Sequence, residues 1–527
     1  MRNTYLTLLI FGLFIVGAVF YLKDNTVYPT KLEQLKEKYS VPHRKKAVDH
    51  SKFGILDKDF DTPQDITLAC LSCHNETHKE IVGTPHFRWE RPVYLKDKGV
   101  AYLGKHSIIN NFCIGTQGSE GSCTKCHAGY GWNKTETALD TRPENIDCLV
   151  CHDNSNTYVK GGETSGYPAK SVDLNLVAKS VGRPTRDNCG VCHFFGGGGN
   201  NVKHGDLEKS MFHPARKVDV HMADTGANLQ CVDCHKTEHH NISGKDFAIE
   251  SQNVGRLLCS DCHTNKPHES RILNEHTLKV ACQTCHIPVY AKVNSVNTSW
   301  DWSTAGKLDK EGKPYMEENS FGDHIYKSIK GDFTWGRNLK PKYFWFNGTV
   351  DHYVLGQKVS KEETKDGKAV CLNKIHGSYK DVRSKIYPWR IHKTKQPFDL
   401  GTRLIIQPKL WAEKKGEGAY WKDFDWQKSA AAGMKLLNLP YSGKFGWINT
   451  TMYWPIDHMV STKDKSLQCT DCHTKNNSRL EGLNDFYMPA RDSFDVVDTF
   501  GILFIILTLL GILGHGSLRY YFNKKKG

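Results

Sequence analysis

One repeated spacing, Cys-x-x-Cys-His, constrains this chain more than anything else in it. It occurs eight times: Cys70, Cys73 and His74; Cys123, Cys126 and His127; Cys148, Cys151 and His152; Cys189, Cys192 and His193; Cys231, Cys234 and His235; Cys259, Cys262 and His263; Cys282, Cys285 and His286; Cys469, Cys472 and His473. Composition alone predicts roughly 0.03 such matches in a chain of this kind. Two thiols three residues apart can add across the two vinyl groups of one haem, and the next histidine then falls under the iron as its proximal ligand. Zinc sites and disulfides also use paired cysteines, but neither needs a histidine straight after every pair. The spacing therefore predicts eight covalently attached haem c groups. Sixteen of the 18 cysteines are consumed this way, leaving Cys113 and Cys371.

Seven of the motifs fall between Cys70 and His286, 217 residues or about 31 apiece. So short a segment cannot build its own core. The porphyrins must then be the core, and the expected fold is mainly α with long irregular loops, a multihaem array wrapped by the chain. Residues Ile287–Gln468 carry no motif, yet hold ten of the twelve tryptophans, in stretches such as FTWGRNLKPKYFWFNG (333–348). This region is expected to pack against the haems, with a helix where Trp426, Ala430 and Met434 recur at helical spacing. The organisation read from the sequence is a signal anchor or signal peptide over 1–24, a seven-haem region over 25–290, an aromatic-rich haem-free region over 291–468, an eighth haem segment over 469–498, a transmembrane helix over 499–518 and a basic tail over 519–527.

The ends set the expected location. Tyr5–Leu22 is apolar apart from Thr7, and Thr499–Leu518 is a mostly apolar run followed by Arg519 and Lys524–Lys526. Basic residues favour the cytoplasmic face. The expectation is a cytoplasmic-membrane protein, a bilayer partner anchored at both ends, with its haem domain on the periplasmic side, where covalent haem attachment is completed. His515 near the inner face is either a snorkelling histidine or a contact with a membrane partner. The formal charge of +14 falls to roughly +6 with eight ferric haems and about −2 with eight ferrous ones, once ionised propionates are counted. The basic residues mostly balance propionates. Nucleic acid is therefore a poor partner, and a small anionic substrate remains allowed.

Eight proximal histidines leave 18 of 26 for other work. His86, His221, His239, His268, His276, His392 and His458 are the candidate distal ligands, each also readable as a propionate partner or a surface residue. The segment GVCHFFGGGGNNVKHGDL (190–207) poses a separate question, because four consecutive glycines are costly to order. They permit positive φ and close backbone approach, so they could deliver Lys203 over a haem made elsewhere in the chain. Lysine ligates iron only as the neutral amine, which requires burial or a nearby positive iron. Otherwise Lys203 is a solvated loop residue. His204 and Asp206 follow it and could supply protons.

Several stretches together resemble the octahaem tetrathionate reductase family: TLACLSCH (67–74), INNFC followed by CTKCHAGYGW, CHFFGGGGNNVKHGDL, VACQTCHIP (280–288), the FTWG…KP…WFNG block and the HMV…C..CH ending. They extend over nearly all of the exported part. The resemblance implies that one haem takes lysine as an axial ligand with a non-haem cysteine beside it: Lys203, Cys113 and the second haem, on Cys123, Cys126 and His127. Read without the resemblance, Cys113 is equally a buried thiol or a disulfide partner of Cys371. The implied function is a reductase of tetrathionate or a related small sulfur or nitrogen oxide such as nitrite or hydroxylamine. Its electrons would come from a membrane quinol-oxidising partner, a b-type cytochrome among the candidates, and an oligomer is allowed. Two other functions compete: a non-catalytic electron conduit, and an oxidase like hydroxylamine oxidoreductase with a tyrosine cross-link, for which Tyr130 and Tyr326 are available.

Overall fold

The structure, a computed structural model, describes residues 48–95, 99–112, 114–131, 140–161, 165–244 and 255–525. The segment 1–24 and Cys113 lie outside the described residues. The chain divides into two compact units, Met1–Ser466 and Leu467–Gly527.

In the first unit the haem-binding part consists of short helices and turns. Pro63–Leu71 and Arg186–His193 are the longest helices that carry motif residues, and Leu149–His152, Cys231–Cys234 and Cys282–His286 are barely one turn. One turn is what the motif requires, since residues i and i+3 share a helix face and can present both sulfurs to one porphyrin edge. Motifs of the form Cys-x-Asp-Cys cap that turn themselves. The Asp233 carboxylate accepts from the Gln230 N–H at 2.7 Å and that of Asp261 from the Leu258 N–H at 2.9 Å, satisfying a donor the helix start would orphan.

The expectation of a mainly α fold is wrong for this chain. Helix accounts for 31% of residues and strand for 19%, and most of the strand lies in one eight-stranded sheet. Its order is Val370–Cys371, Phe445–Pro455, Lys385–Asp399, Val296–Asp301, Gly331–Gly336, His324–Lys327 and Met316–Glu318, with Lys342–Phe346 paired to the start of Lys385–Asp399. The cause is the missing haems. Nearly 180 residues without a porphyrin must bury their own apolar surface. In Phe445–Pro455 the alternation Ile448, Thr450, Met452, Trp454 turns one face inward, the two-residue period of a half-buried strand.

The sheet's core is aromatic: Trp300 stacks on Trp302 with ring centres 4.4 Å apart, and Tyr420 on Trp426 at 3.7 Å. The helix expected around Trp426 is present as Trp426–Leu436 and buries Ala430 and Met434 against Leu404 and Ile406. Ile109, Phe112, Ile114 and Val202, from the haem-binding part, are buried in the same cluster as Met452 and Trp454. The sheet is thus the platform on which the glycine-rich segment rests.

The second unit holds the eighth motif, Cys469–Cys472, again capped by its own Asp471 at 2.7 Å from the Gln468 N–H. It ends in the Asp495–Lys525 helix, 31 residues with mean hydropathy 2.5 in its most apolar window. At 1.5 Å per residue the helix is about 46 Å long, more than the ~30 Å of a bilayer's hydrocarbon core. By length and composition it can cross a membrane.

Candidate haem array and lysine site

Two imidazoles bound to opposite faces of one iron have ring centres about 6.2 Å apart, from iron–nitrogen bonds of about 2.0 Å and ~1.1 Å from nitrogen to ring centre. Five motif histidines face a second imidazole at that separation. His74 faces His50 at 6.5 Å, His263 faces His221 at 6.0 Å, His235 faces His458 at 6.4 Å and His286 faces His268 at 6.1 Å. His193 has two such neighbours, His86 at 6.2 Å and His204 at 6.5 Å. The His268–His286 and His235–His458 rings are also nearly parallel, at 11° and 19°. These spacings fit an iron between each pair, so the residues present suit covalent haem c. Among the seven candidates from sequence, His86, His221, His268 and His458 take such positions. His50 was missed. Its signal was its place 24 residues before His74, comparable with that of His268 before His286.

The remaining three candidates are placed differently. His239 Nδ1 meets Glu80 Oε1 at 2.8 Å and His276 Nδ1 meets Ile272 O at 2.7 Å, and neither ring faces a motif histidine at the separation of the pairs above. His392 is a correction. It is fully buried, and its Nδ1 and Nε2 face the amide oxygens of Asn111 at 3.0 Å and Asn297 at 2.6 Å. Neither nitrogen is left for iron. A histidine in the middle of a buried strand is held by neighbouring side chains, and no local pattern marks 385–399 as such a strand.

Sulfur contacts order the motifs in space. Cys70 meets Cys148, Cys126 meets Cys192, Cys189 meets Cys231 and Cys259 meets Cys282, each within hydrogen-bonding reach. Cys151 also lies near Cys189, and Cys234 near Cys262. The order that emerges is first, third, fourth, fifth, sixth, seventh, with the second motif branching from the fourth.

That branch is where the glycine-rich segment lands. Gly197 has φ +80°, and a Cβ on it would sit 2.8 Å from the Phe112 ring; Gly205 has φ +96°, and a Cβ there would sit 2.8 Å from Arg390 Cδ. Both positions demand glycine. Arg390, buried in the central Lys385–Asp399 strand, donates to the carbonyls of Val202 (2.9 Å), Lys203 and Asn297. Glu208 braces the far side, accepting from Asn201 Nδ2 at 3.1 Å and from the Val293 and Asn294 N–H groups. Held so, Lys203 is half-buried, with Nζ 4.7 Å from the centre of the Trp454 ring, itself 5.4 Å from His204 and 5.5 Å from Phe112. Cys113, next to Phe112, is outside the described residues.

The second motif lies in cationic surroundings. Lys105, Lys125 and Lys160 act on its Cys126, while Lys203 and Lys105 act on His193 of the neighbouring fourth motif. His127 is buried between Phe87 and Trp89, and its Nε2, the nitrogen an iron would take, stands 2.5 Å from Phe87 O. Lys160 donates to the His127 carbonyl and pairs with buried Asp147 at 2.9 Å, which also accepts from Tyr130 at 3.0 Å and Tyr158 at 2.8 Å. Burial holds His204 well below the ordinary histidine range, so the ring is neutral. Asp206 does not turn toward Lys203: one oxygen accepts from the Asp457 and His458 N–H groups and from His458 Nδ1. Cys371 lies on an edge strand paired with Thr451, its thiol pushed up by burial.

Comparison with known proteins agrees with this geometry. A crystal structure of octahaem cytochrome c from Shewanella oneidensis is similar at 40% identity with a TM-score of 0.74, covering 81% of this chain and 94% of that one. The family described as bacterial cytochrome c matches residues 297–476, the sheet and the eighth motif. An uncharacterized protein of Archaeoglobus fulgidus is 25% identical over 249 residues, 37% of this chain and 81% of its own length.

Proposed function

Because the chain belongs to the octahaem cytochrome c family, the one its motifs resemble, we propose that it is a reductase whose substrate meets the second haem, with Lys203 as that haem's displaceable axial ligand and Cys113 beside it. The chain is a multihaem c-type cytochrome with eight covalently attached haems and an electron-transfer role. The haems, when bound, store and pass single electrons and bind small ligands at an iron with a labile position. The chain's own residues do the rest. Arg390 and Glu208 fix the loop, Trp454 gives the Lys203 amine an apolar, π-rich surface, and the surrounding lysines draw in an anion.

The observation that carries this reading is the double clamp on the Lys203 loop. A solvated lysine has no use for a buried guanidinium bonded to its own carbonyl. Tetrathionate, nitrite and hydroxylamine are the candidate substrates, and the cationic setting favours the first two. The Asp495–Lys525 helix would anchor the protein with its basic end in the cytoplasm, its haem unit outside, and a quinol-oxidising partner supplying electrons. The conduit reading draws on the near-linear order of six motifs, which suits through-transfer. Turnover of the three substrates by the purified holoprotein, with reduced viologen as donor, separates the two. Turnover of one of them that falls at least tenfold in Lys203→Ala supports the reductase. Rates indifferent to Lys203 leave the conduit.

A further inference from the structure

The polar clusters next to haem ligands differ in one respect. Metal-bound histidines usually donate their second ring N–H to an acceptor, and the acceptor's charge sets how strongly the ligand gives electron density to the metal. Among the histidines of the facing pairs, His235 donates Nδ1–H to a neutral carbonyl, Ser243 O at 3.0 Å. His458, opposite it, has Nδ1 3.2 Å from the Asp206 carboxylate. Among the described residues it is the only histidine of those pairs that meets a carboxylate. The contact is not a loose surface pair. The Asp206 side chain is 3% exposed, and the same oxygen takes the N–H groups of Asp457 at 2.7 Å and His458 at 2.8 Å. Those two bonds set the turn from which His458 projects. A second carboxylate, Asp219, holds the chain two residues on through the Val460 N–H at 3.1 Å, and Lys292 ties the Met459 and Val218 carbonyls at 2.8 and 3.0 Å.

We propose that Asp206 is a positioning residue for the fifth haem, the one on Cys231, Cys234 and His235: by accepting the Nδ1 proton of His458 it would strengthen that ligand and make this haem a low-potential step in the array. A more basic ligand stabilises ferric over ferrous iron. The fifth motif lies between the fourth, beside the second, and the sixth. An electron that has passed to the fourth and second haems would therefore have to climb to return. The same loop carries Lys203 three residues earlier, so one segment serves two irons.

The inference rests on the multihaem assignment and on the His235–His458 pairing, not on lysine ligation; loss of turnover in Lys203→Ala neither helps nor harms it. The test is potentiometric titration of the holoprotein, with haem-specific electron paramagnetic resonance, for the parent, Asp206→Asn and Asp206→Glu. Asn keeps an acceptor oxygen for the backbone but removes the charge. One haem of eight should move to higher potential in the Asn variant and return in the Glu variant, with the others unmoved. Eight intact haems with no potential moved would overturn the proposal and leave Asp206 a backbone clamp. If the Asn variant fails to assemble eight haems, the parent decides: one ferric signal must show the reduced anisotropy of a strongly donating imidazole pair, and its absence refutes the assignment.

Discussion

Replacing Arg390 by methionine tests whether the lysine loop is held by the sheet. The guanidinium is 1% exposed and donates to three carbonyls, those of Val202, Lys203 and Asn297. Burial pulls its pKa down to about 10, which still leaves it charged at neutral pH. Methionine fills similar space but orphans three buried acceptors, each worth about 1–3 kcal/mol. Against this, the chain no longer has to desolvate a cation, a recovery of several kcal/mol. The net expectation is a loss of about 2–4 kcal/mol, a fall in melting temperature of roughly 3–8 °C, since a unit this large moves less per kcal/mol than a small domain. Functionally the loop should relax, and a displacement near 1 Å at a reacting centre can cost ~100-fold. Melting followed by Soret circular dichroism and viologen-driven turnover are the two assays. Arg390→Lys should lie between parent and Met variant, because one ammonium cannot reach all three carbonyls. A Met variant as stable and as active as the parent would refute the argument, since water would then serve the carbonyls equally well.

Two further perturbations test other parts of the molecule. Lys160→Met leaves Asp147 buried without its cation, and removing one partner of such a pair costs about 3–5 kcal/mol; a double-mutant cycle with Asp147→Asn should recover a coupling above 1 kcal/mol, whereas a value near zero would mean the pair is screened. Burial would raise the carboxyl of Asp399, but donors from Ser442, Thr402 and Gly401 hold it at about 2, below the ordinary 3.8. Its folded-state pKa is depressed, so the stabilisation is present above pH ~4 and is lost as pH falls toward 2. The stability difference between parent and Asp399→Asn should therefore be about 2 kcal/mol near neutrality and shrink to a few tenths of a kcal/mol by pH ~2, which acid-range denaturant titrations would show.

The haem half of the molecule was legible because its chemistry is local. A Cys-x-x-Cys-His turn encodes its own geometry, and a Cys-x-Asp-Cys motif even brings its cap. The facing histidines were half legible: His221, His268 and His458 sit close in sequence to motifs, while His392 entered the same list by residue type alone. The sheet was not legible. The Lys385–Asp399 strand reads KIYPWRIHKTKQPFD, and its lysines, arginine and histidine hide the apolar period. Those polar residues are there because the strand's neighbours need them, Arg390 for carbonyls of the lysine loop and His392 for Asn111 and Asn297. Such pairings span about 90 to 280 residues of sequence, and no local pattern reports them. Asp206 was read as a proton source from its nearness to Lys203, but adjacency along a loop says nothing about which side a carboxylate faces.

The two halves of the molecule place their ligands by different means. Most of the facing histidines sit on short segments around the motifs, packed on small apolar clusters such as that of Leu56, Ile66, Leu149 and Val177. The lysine position depends on the sheet. Val202 and Phe112 are buried in the cluster that holds Met452 and Trp454, and Arg390 reaches the loop from the central strand. A close-packed protein core does not adjust gradually to a change in ligand state, and a site built on strands is held more tightly than one built on loops. On the proposed reading, the lysine offered to the second haem is therefore held in place by the sheet, whatever the state of the iron. A reactive position needs this arrangement: the ligand can leave the iron and find its way back, because the polypeptide and not the metal keeps its place.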